Sequence, residues 1–318
     1  MSDFQNKTSI QEDNGAAGYL FVFFTGEHED GEQIYFAVSR DGLHWEELNG
    51  GKPVLRSGIG QKGVRDPFPV RDPKTGKCYL IATDLRIGAE NDWDKAQYAG
   101  SRDLMVWESE DLVNWKRPRS CTVGVPEAGC VWAPECIYDE EKEAFFVFWA
   151  SMVRLPGESR AKQRIYGAYT RDFVQFGESF IYLDTPEDVI DMNIVYKGGF
   201  YYRFVKNEVT KKVWMDRMTG LQEKKAERLD VPLLEELGGV EGPECYPLPD
   251  GTWCLILDQF GTGKGYLPLL CSNLEKADFQ VAQAGSYDLG TLKKRHGGVL
   301  AIRQDEMDRL RERFGASR

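Results

Sequence analysis

One short phrase recurs along the chain, and its recurrence constrains the fold more than any other feature. A run of β-formers ends in Ser or Thr, a charged turn follows, and an aromatic residue closes it: SRDGLHW from Ser39, SEDLVNW from Ser109, TRDFVQF from Thr170 and a weaker CSNLEKADF around Ser272. The interval between Thr170 and Ser272 leaves room for one degenerate copy, near VWMDRMTG. Around the copies lie short runs rich in Val, Ile, Phe, Tyr and Trp, such as YLFVFFTG, CYLIATD, AFFVFWAS and TWCLILDQF, which read as strands. Each interval holds about four strands, and units of that size repeated along a chain stack as blades, five being the best count. The expected fold is all-β, a five-bladed β-propeller; an array of β-sandwiches with accidental Asp-aromatic turns is the competing all-β reading. QDEMDRLRERF brings Met307, Leu310 and Phe314 to helical spacing and predicts a short C-terminal helix on the outside. The expected organisation is a polar N-terminal segment at 1–17, a propeller at 18–303 and the helix at 304–318, with no Ser/Gly-rich or Pro-rich linker dividing them.

Composition narrows the function. With 318 residues, 42% hydrophobic and 12% aromatic, the chain can bury a large core. Forty basic against 51 acidic residues leave a net charge of -11, and no basic run is long enough to follow a phosphate backbone, so nucleic acid is not an expected partner. YLFVFF is too short for a signal-peptide core or a membrane span. A cytoplasmic protein with no membrane partner is therefore expected. The seven cysteines are odd in number and form no CxxC pair; they read as reduced, mostly buried thiols.

In a propeller the innermost strands converge on one axial channel, so acids far apart in sequence can meet there. Three stretches place an acid beside a stiff or apolar neighbour ahead of a strand pattern: GVRDPFPV with Asp66, VIDMNIVY with Asp191 and VEGPECY with Glu241. Each has a bland reading. Asp66 resembles Asp72 in VRDPK, a turn-capping aspartate before proline. Asp191 lies between Ile190 and Met192, which implies a buried carboxylate that needs a partner. Glu241 competes with Glu244 and with Glu135, which shares the word PEC; Gly242 and Pro243 permit a sharp change of direction, so Glu241 and Glu244 need not both face one cavity.

Taken in order, RDP before KCYLIATD, VWAPECIYD, IDMNIVYKGGFYY, EGPECYPLPDG and KRHGGVLAI resemble glycoside hydrolase family 43 over about residues 18 to 302. The resemblance implies an exo-acting, inverting glycosidase that releases terminal pentose, α-L-arabinofuranose or β-D-xylose, from small plant cell-wall oligosaccharides. It makes Asp66 the general base, Glu241 the general acid and Asp191 a carboxylate that raises the pKa of the acid, a division of labour that inverting hydrolysis requires. Trp132 becomes an apolar wall for the sugar, against a plain core reading. Arg295 becomes a ligand of sugar hydroxyls that keeps Asp66 ionised. His296 becomes the axial residue that holds a calcium or other ion, largely through water, against a hydrogen-bonded core histidine; no other cofactor is implied. Two alternatives remain. A family 32-like fructosidase shares the RDP and EC words, but no Asn-Asp-Pro precedes residue 66. A noncatalytic sugar-binding propeller would repeat equivalent aromatic pockets, whereas the acids here stand in unequal contexts.

Overall fold

The structure, a computed structural model, describes residues 16–223 and 225–315, so the expected N-terminal segment lies outside the described residues except for its end. Blade one contains β1 (Gly18–Phe23), β2 (Tyr35–Ser39) and β3 (Glu46–Glu47). Blade two is β4 (Val64–Arg71), β5 (Cys78–Asp84), β6 (Asp103–Ser109) and β7 (Arg119–Thr122), with the short helices α1 (Ile87–Glu90) and α2 (Trp93–Tyr98) between β5 and β6. Blade three is β8 (Trp132–Asp139), β9 (Ala144–Val153), β10 (Lys162–Thr170) and β11 (Phe180–Leu183). Blade four is β12 (Val189–Lys197), β13 (Phe200–Asn207), β14 (Lys212–Met218) and β15 (Glu227–Arg228), followed by α3 (Pro232–Glu236). Blade five is β16 (Glu241–Pro247), β17 (Trp253–Asp258), β18 (Tyr266–Cys271) and β19 (Gln280–Val281). The last strand, β20 (Gly297–Ile302), pairs with β1 from Gly18↔Ile302 to Phe23↔Gly297 and becomes the inner strand of blade one. The result is five antiparallel four-stranded sheets, the expected propeller, closed by the two ends of the chain.

The recurring phrase is the turn between the third and fourth strands of a blade. In the first copy the Ser39 hydroxyl accepts from Gly42 N (2.9 Å), and Asp41 Oδ1 accepts from Leu43 N (2.9 Å) and His44 N (2.8 Å). Ser109 with Asp111 and Thr170 with Asp172 repeat the same bonds. Short polar side chains thus satisfy the backbone donors of a tight turn. Blade four carries the degenerate copy, in which Glu223 accepts from Thr219 N at 2.6 Å. Asp72 caps its own turn as expected, accepting from Lys74 N at 2.9 Å.

Each sheet is covered on both faces by its neighbours, which is why strands such as β9 are buried at every residue. Alternate side chains feed alternate interfaces. On β5, Leu80 and Ala82 pack toward blade one with Val22 and Met105, while Ile81 packs toward blade three with Val147 and Trp149. Five apolar layers of this kind, one for each blade interface, hold the ring together. The C-terminal helix α4 (Gln304–Phe314) buries Met307 and Leu310 against blades one and two. Arg71 forks onto the Glu306 carboxylate at 2.8 and 2.9 Å.

Candidate active site

In a blade the side chains of the inner strand point sideways into neighbouring blades, so a regular strand aims nothing at the axis. Four inner strands here break their regularity at the same level. The ladder slips between Arg65 and Phe68, Trp132 and Glu135, Ile190 and Met192, and Glu241 and Glu244. At each slip one residue is left-handed: Asp66 (φ 50), Ala133 (φ 47), Asp191 (φ 49) and Gly242 (φ 53). Such β-bulges bend the strand and re-aim side chains. In three of them the next residue is proline (Pro67, Pro134, Pro243), which lacks the N–H that the broken ladder would leave unpaired. The words RDP, APE and EGP are therefore bulges within strands rather than loops.

The bulges bring Asp66 and Asp191 to His296, with Glu241 beside Asp191. His296 Nδ1 lies 3.6 Å from Asp66 Oδ1 and 3.7 Å from Asp191 Oδ1. Asp66 Oδ2 accepts from the Thr83 hydroxyl at 2.8 Å, and that oxygen in turn accepts from Ala133 N at 2.8 Å, leaving the hydroxyl proton to point at the carboxylate. Asp191 Oδ2 accepts from Gly242 N at 3.1 Å, which ties blade four to the bulge of blade five. The Asp66 and Glu241 side chains are 15% and 17% exposed against 8% for Asp191, so the first two reach solvent and the third does not.

Glu241 is gripped at both oxygens. Lys206 Nζ donates to Oε2 at 2.7 Å and Arg295 Nη2 to Oε1 at 2.8 Å. Burial alone would raise the pKa of this carboxyl, but the two cations outweigh it and hold the group at about 2. Burial pushes Asp191 up to about 6 against the pull of His296 and Lys206, with Glu241 and Asp66 adding to the rise. Asp191 was expected to raise the pKa of Glu241; instead Glu241 is lowered and helps to raise Asp191, because Lys206 is close and was not anticipated. Lys206 is in phase with Tyr202 and Phe204 on the face of β13 that packs on blade five, and a lysine on a core face must find an anion. That phase was the available signal.

Arg295 is corrected in the same way. It was expected beside Asp66, yet its guanidinium bonds Asp258 Oδ2 at 2.6 Å as well as Glu241, and the cation near Asp66 is His296. Burial opposes protonation of His296, but Asp191, Glu135 and Asp66 raise its pKa to about 10.

Beneath this layer lies a second carboxyl pair. Asn193 Nδ2 donates to Glu135 Oε2 and to Glu244 Oε2, both at 2.8 Å, while Val299 N donates to Glu244 Oε1 at 2.7 Å. Burial drives the pKa of Glu135 to about 7, and burial with the neighbouring Glu135 carries Glu244 well above the carboxylate range. Glu241 and Glu244 thus occupy different levels, as the Gly-Pro turn implied. His296 Nε2 faces Glu135 Oε1 at 3.5 Å, so both ring nitrogens are turned to carboxylates. Among the described residues no three or more His, Cys, Asp or Glu side chains are grouped as ligands of an ion. Calcium takes oxygen ligands, and the His296 ring itself supplies none.

At the mouth, Trp132 occupies the same place in its bulge as Glu241 does in blade five. It is half-buried, packs on Leu85, Ile87 and Ala96, and meets Trp93 edge-on at 6.1 Å. Arg65, the equivalent residue of blade two, pairs with Glu27 (2.8 Å) and Glu32 (3.0 Å). Glu27 also lies 3.7 Å from Arg295. A cavity of about 300 Å³ opens beside this chain of ion pairs, lined by Glu27, Glu32, Arg56, Lys62 and Arg86 among others.

Comparison with known proteins bears on the fold and the family. Over 223 residues, 64% of this chain, the sequence is 35% identical to an α-L-arabinofuranosidase of Bifidobacterium longum subsp. longum, and the match spans one fifth (20%) of that relative's length. An endo-1,4-β-xylanase of Bacteroides thetaiotaomicron superposes with a TM-score of 0.57 at 12% identity, covering 92% of this chain and 95% of the other. A family 43 β-1,3-galactosidase with galactodeoxynojirimycin gives 0.57 at 11% identity over 87% and 96%. Likeness at such identities speaks for the fold alone. Residues 14–308 match the model of a family related to glycoside hydrolase family 43 and described as "probable glycosyl hydrolase domain", and the chain belongs to that family.

Proposed function

We propose that the chain is an exo-acting, inverting glycosidase that removes terminal pentose, α-L-arabinofuranose ahead of β-D-xylose, from small plant cell-wall oligosaccharides. The observation that carries this reading is the gathering of three acids from three blades, Asp66 and Asp191 at one histidine and Glu241 beside Asp191. Asp66 takes a proton from water as the water oxygen attacks the anomeric carbon; Glu241, held at about 2 and so protonated in only a small fraction of the free molecules, gives that proton to the leaving oxygen as the glycosidic bond breaks. Asp191 fixes the bulge that presents Glu241. Trp132 supplies an apolar wall at the mouth, and Arg295 holds the acid and meets sugar hydroxyls. The preference for arabinose is supported by the Bifidobacterium relative. Action in the cytoplasm belongs to the same proposal, supported by seven free cysteines, six of them buried.

The test is a panel of nitrophenyl glycosides with Asp66→Ala and Glu241→Ala as controls, and the anomer of the first product followed by NMR. Release of arabinose or xylose with inverted configuration is expected. Loss of activity on a poor leaving group in Glu244→Ala, with normal activity in Glu241→Ala, overturns the assignment of the acid.

A further inference from the structure

The proton that Glu241 donates has to be held against two cations, and one of them has no part in the scheme above. Lys206 lies on the second strand of blade four, opposite Ile190 and next to the Asp191 bulge. Its side chain is 2% exposed, and its ammonium is shared between Glu241 Oε2 (2.7 Å) and Glu208 Oε2 (2.8 Å), with the Phe260 ring 4.6 Å away. Glu208 is paired on its other side with Lys211. Burying an ammonium is costly unless its partners are fixed, and here a partner is the carboxyl that must change protonation during turnover.

We propose that Lys206 is a positioning residue of the reaction: opposite the Arg295 clamp, it fixes the rotamer of Glu241 and governs when that carboxyl carries a proton. This rests on the reading of Glu241 as the acid. The charged groups that face Glu241 are Lys206 from β13, Arg295 from the segment before β20, Asp191 from β12 and Asp258 from β17; Glu208, Glu27 and Asp66 stand behind them. Arg295 is also bonded to Asp258 and close to Glu27, so its charge is divided among three acids. Lys206 spends its charge on Glu241, Glu208 and the nearby Asp191. Each cation is thus shared among three acids, but the Lys206 contact with Glu241 is the shorter (2.7 against 2.8 Å) and Lys206 stands before Arg295 among the groups that lower that carboxyl. Arg295 stays in place, so the carboxyl is still held at one oxygen.

The experiment compares wild type with Lys206→Met, Lys206→Gln and Lys206→Arg. The pH profile of kcat/KM is measured on aryl arabinofuranosides and xylosides with good and poor leaving groups. The Glu241 carboxyl is titrated directly by carbon-13 NMR of labelled glutamate, its resonance assigned by its loss in Glu241→Gln. An opposite charge at this range shifts a carboxyl by about 1–3 units. Met and Gln are therefore expected to raise the Glu241 midpoint, and the limb of the profile that Glu241 sets, by at least about one unit, a tenfold change in the protonated fraction, with Arg keeping the wild-type values. Gln keeps a donor to Glu241 and serves if Met does not fold. A resonance and a limb that do not move in folded Met or Gln protein, with rates falling equally on both leaving groups, overturn the proposal and leave Lys206 structural. If Glu241→Gln cleaves poor leaving groups normally, the reading of the acid fails beneath it. The carboxyl titration needs no substrate, so it decides what Lys206 does to Glu241 whichever sugar is cleaved.

Discussion

Thr83 offers a sharp test of how Asp66, the proposed base, is held. Its side chain is fully buried on β5 and makes two bonds of 2.8 Å, accepting from Ala133 N and donating to Asp66 Oδ2. Valine has nearly the same shape and makes neither bond. Thr83→Val leaves the buried Ala133 N–H without its acceptor, a loss of about 1–3 kcal/mol, and frees one oxygen of Asp66 to rotate. A hydrogen bond to a charged group contributes about 1.5–3 kcal/mol, which corresponds to roughly 10- to 100-fold in rate if the bond is needed in the transition state. Thr83→Ser keeps the hydroxyl and removes one methyl group, which costs about 1 kcal/mol. Urea unfolding and kcat/KM on an aryl glycoside separate the effects. Valine is expected to lose both stability and activity, and serine stability alone. If valine and serine are equally active, Thr83 does not position Asp66, and the link between the bulges of blades two and three is structural only.

Two further outcomes follow from the same bulges. At Gly242 an added Cβ would stand 2.8 Å from His296 Cγ and 2.9 Å from its Cβ, at φ +53. Left-handed backbone costs an L-residue about 1–2 kcal/mol and overpacking about 1–3, so Gly242→Ala is expected to lose roughly 2–5 kcal/mol in urea unfolding; an unchanged midpoint contradicts the close approach of glycine and histidine. The second outcome is a pH dependence. Burial raises Asp191 from 3.8 to about 6 and Glu135 from 4.5 to about 7, so the folded state binds these protons more tightly than the unfolded one. Their contribution is complete below the ordinary carboxylate range and is lost as pH rises through 6 to 7. Glu241, lowered to about 2, acts oppositely, but only as pH falls below 4.5. Between pH 5 and 7 the urea midpoint is therefore expected to fall, and Glu135→Gln to flatten the slope; a midpoint that rises over that range refutes the assignment.

The fold was legible because its repeated unit is made by local bonds. A Ser or Thr two residues before an Asp closes the outer turn by itself, so the phrase at Ser39, Ser109 and Thr170 marks a fixed place in a blade wherever it occurs. The degenerate copy in blade four survives because Thr219 with Glu223 performs the same task with a longer side chain. The bulges were hidden for the opposite reason. A residue before proline favours extended backbone, and Asp-Pro or Gly-Pro is an ordinary turn word, so nothing local distinguishes a turn from a left-handed residue inside a strand. The short helices α1 to α3 carry too few turns to show a period. A carboxylate amid the apolar residues of an inner strand is conspicuous, whereas Lys206 was missed because it belongs to a second strand and meets Glu241 only across a blade interface.

That interface explains why the hollow tolerates so much acid. Asp66, Asp191, Glu241, Asp258, Glu135 and Glu244 all lie on or beside the axis of a chain whose net charge is already -11, and carboxylates this close cannot all ionise. The chain solves the problem by level. At the mouth, where a sugar must meet charge, Lys206 and Arg295 keep Glu241 and Asp258 paired. In the middle, the histidine cation serves Asp66 and Asp191 together. In the floor, burial raises Glu135 and Glu244 against the pull of the same histidine, which favours protons on that pair, and the Asn193 amide bridges it. Protonated below, cationic in the centre and paired above, the axis falls off in acid strength toward its floor. The charge of Glu241, the proposed acid, is set by Lys206 of blade four and by Arg295 from the segment before β20, so the rate should depend on those side chains as much as on Glu241 itself.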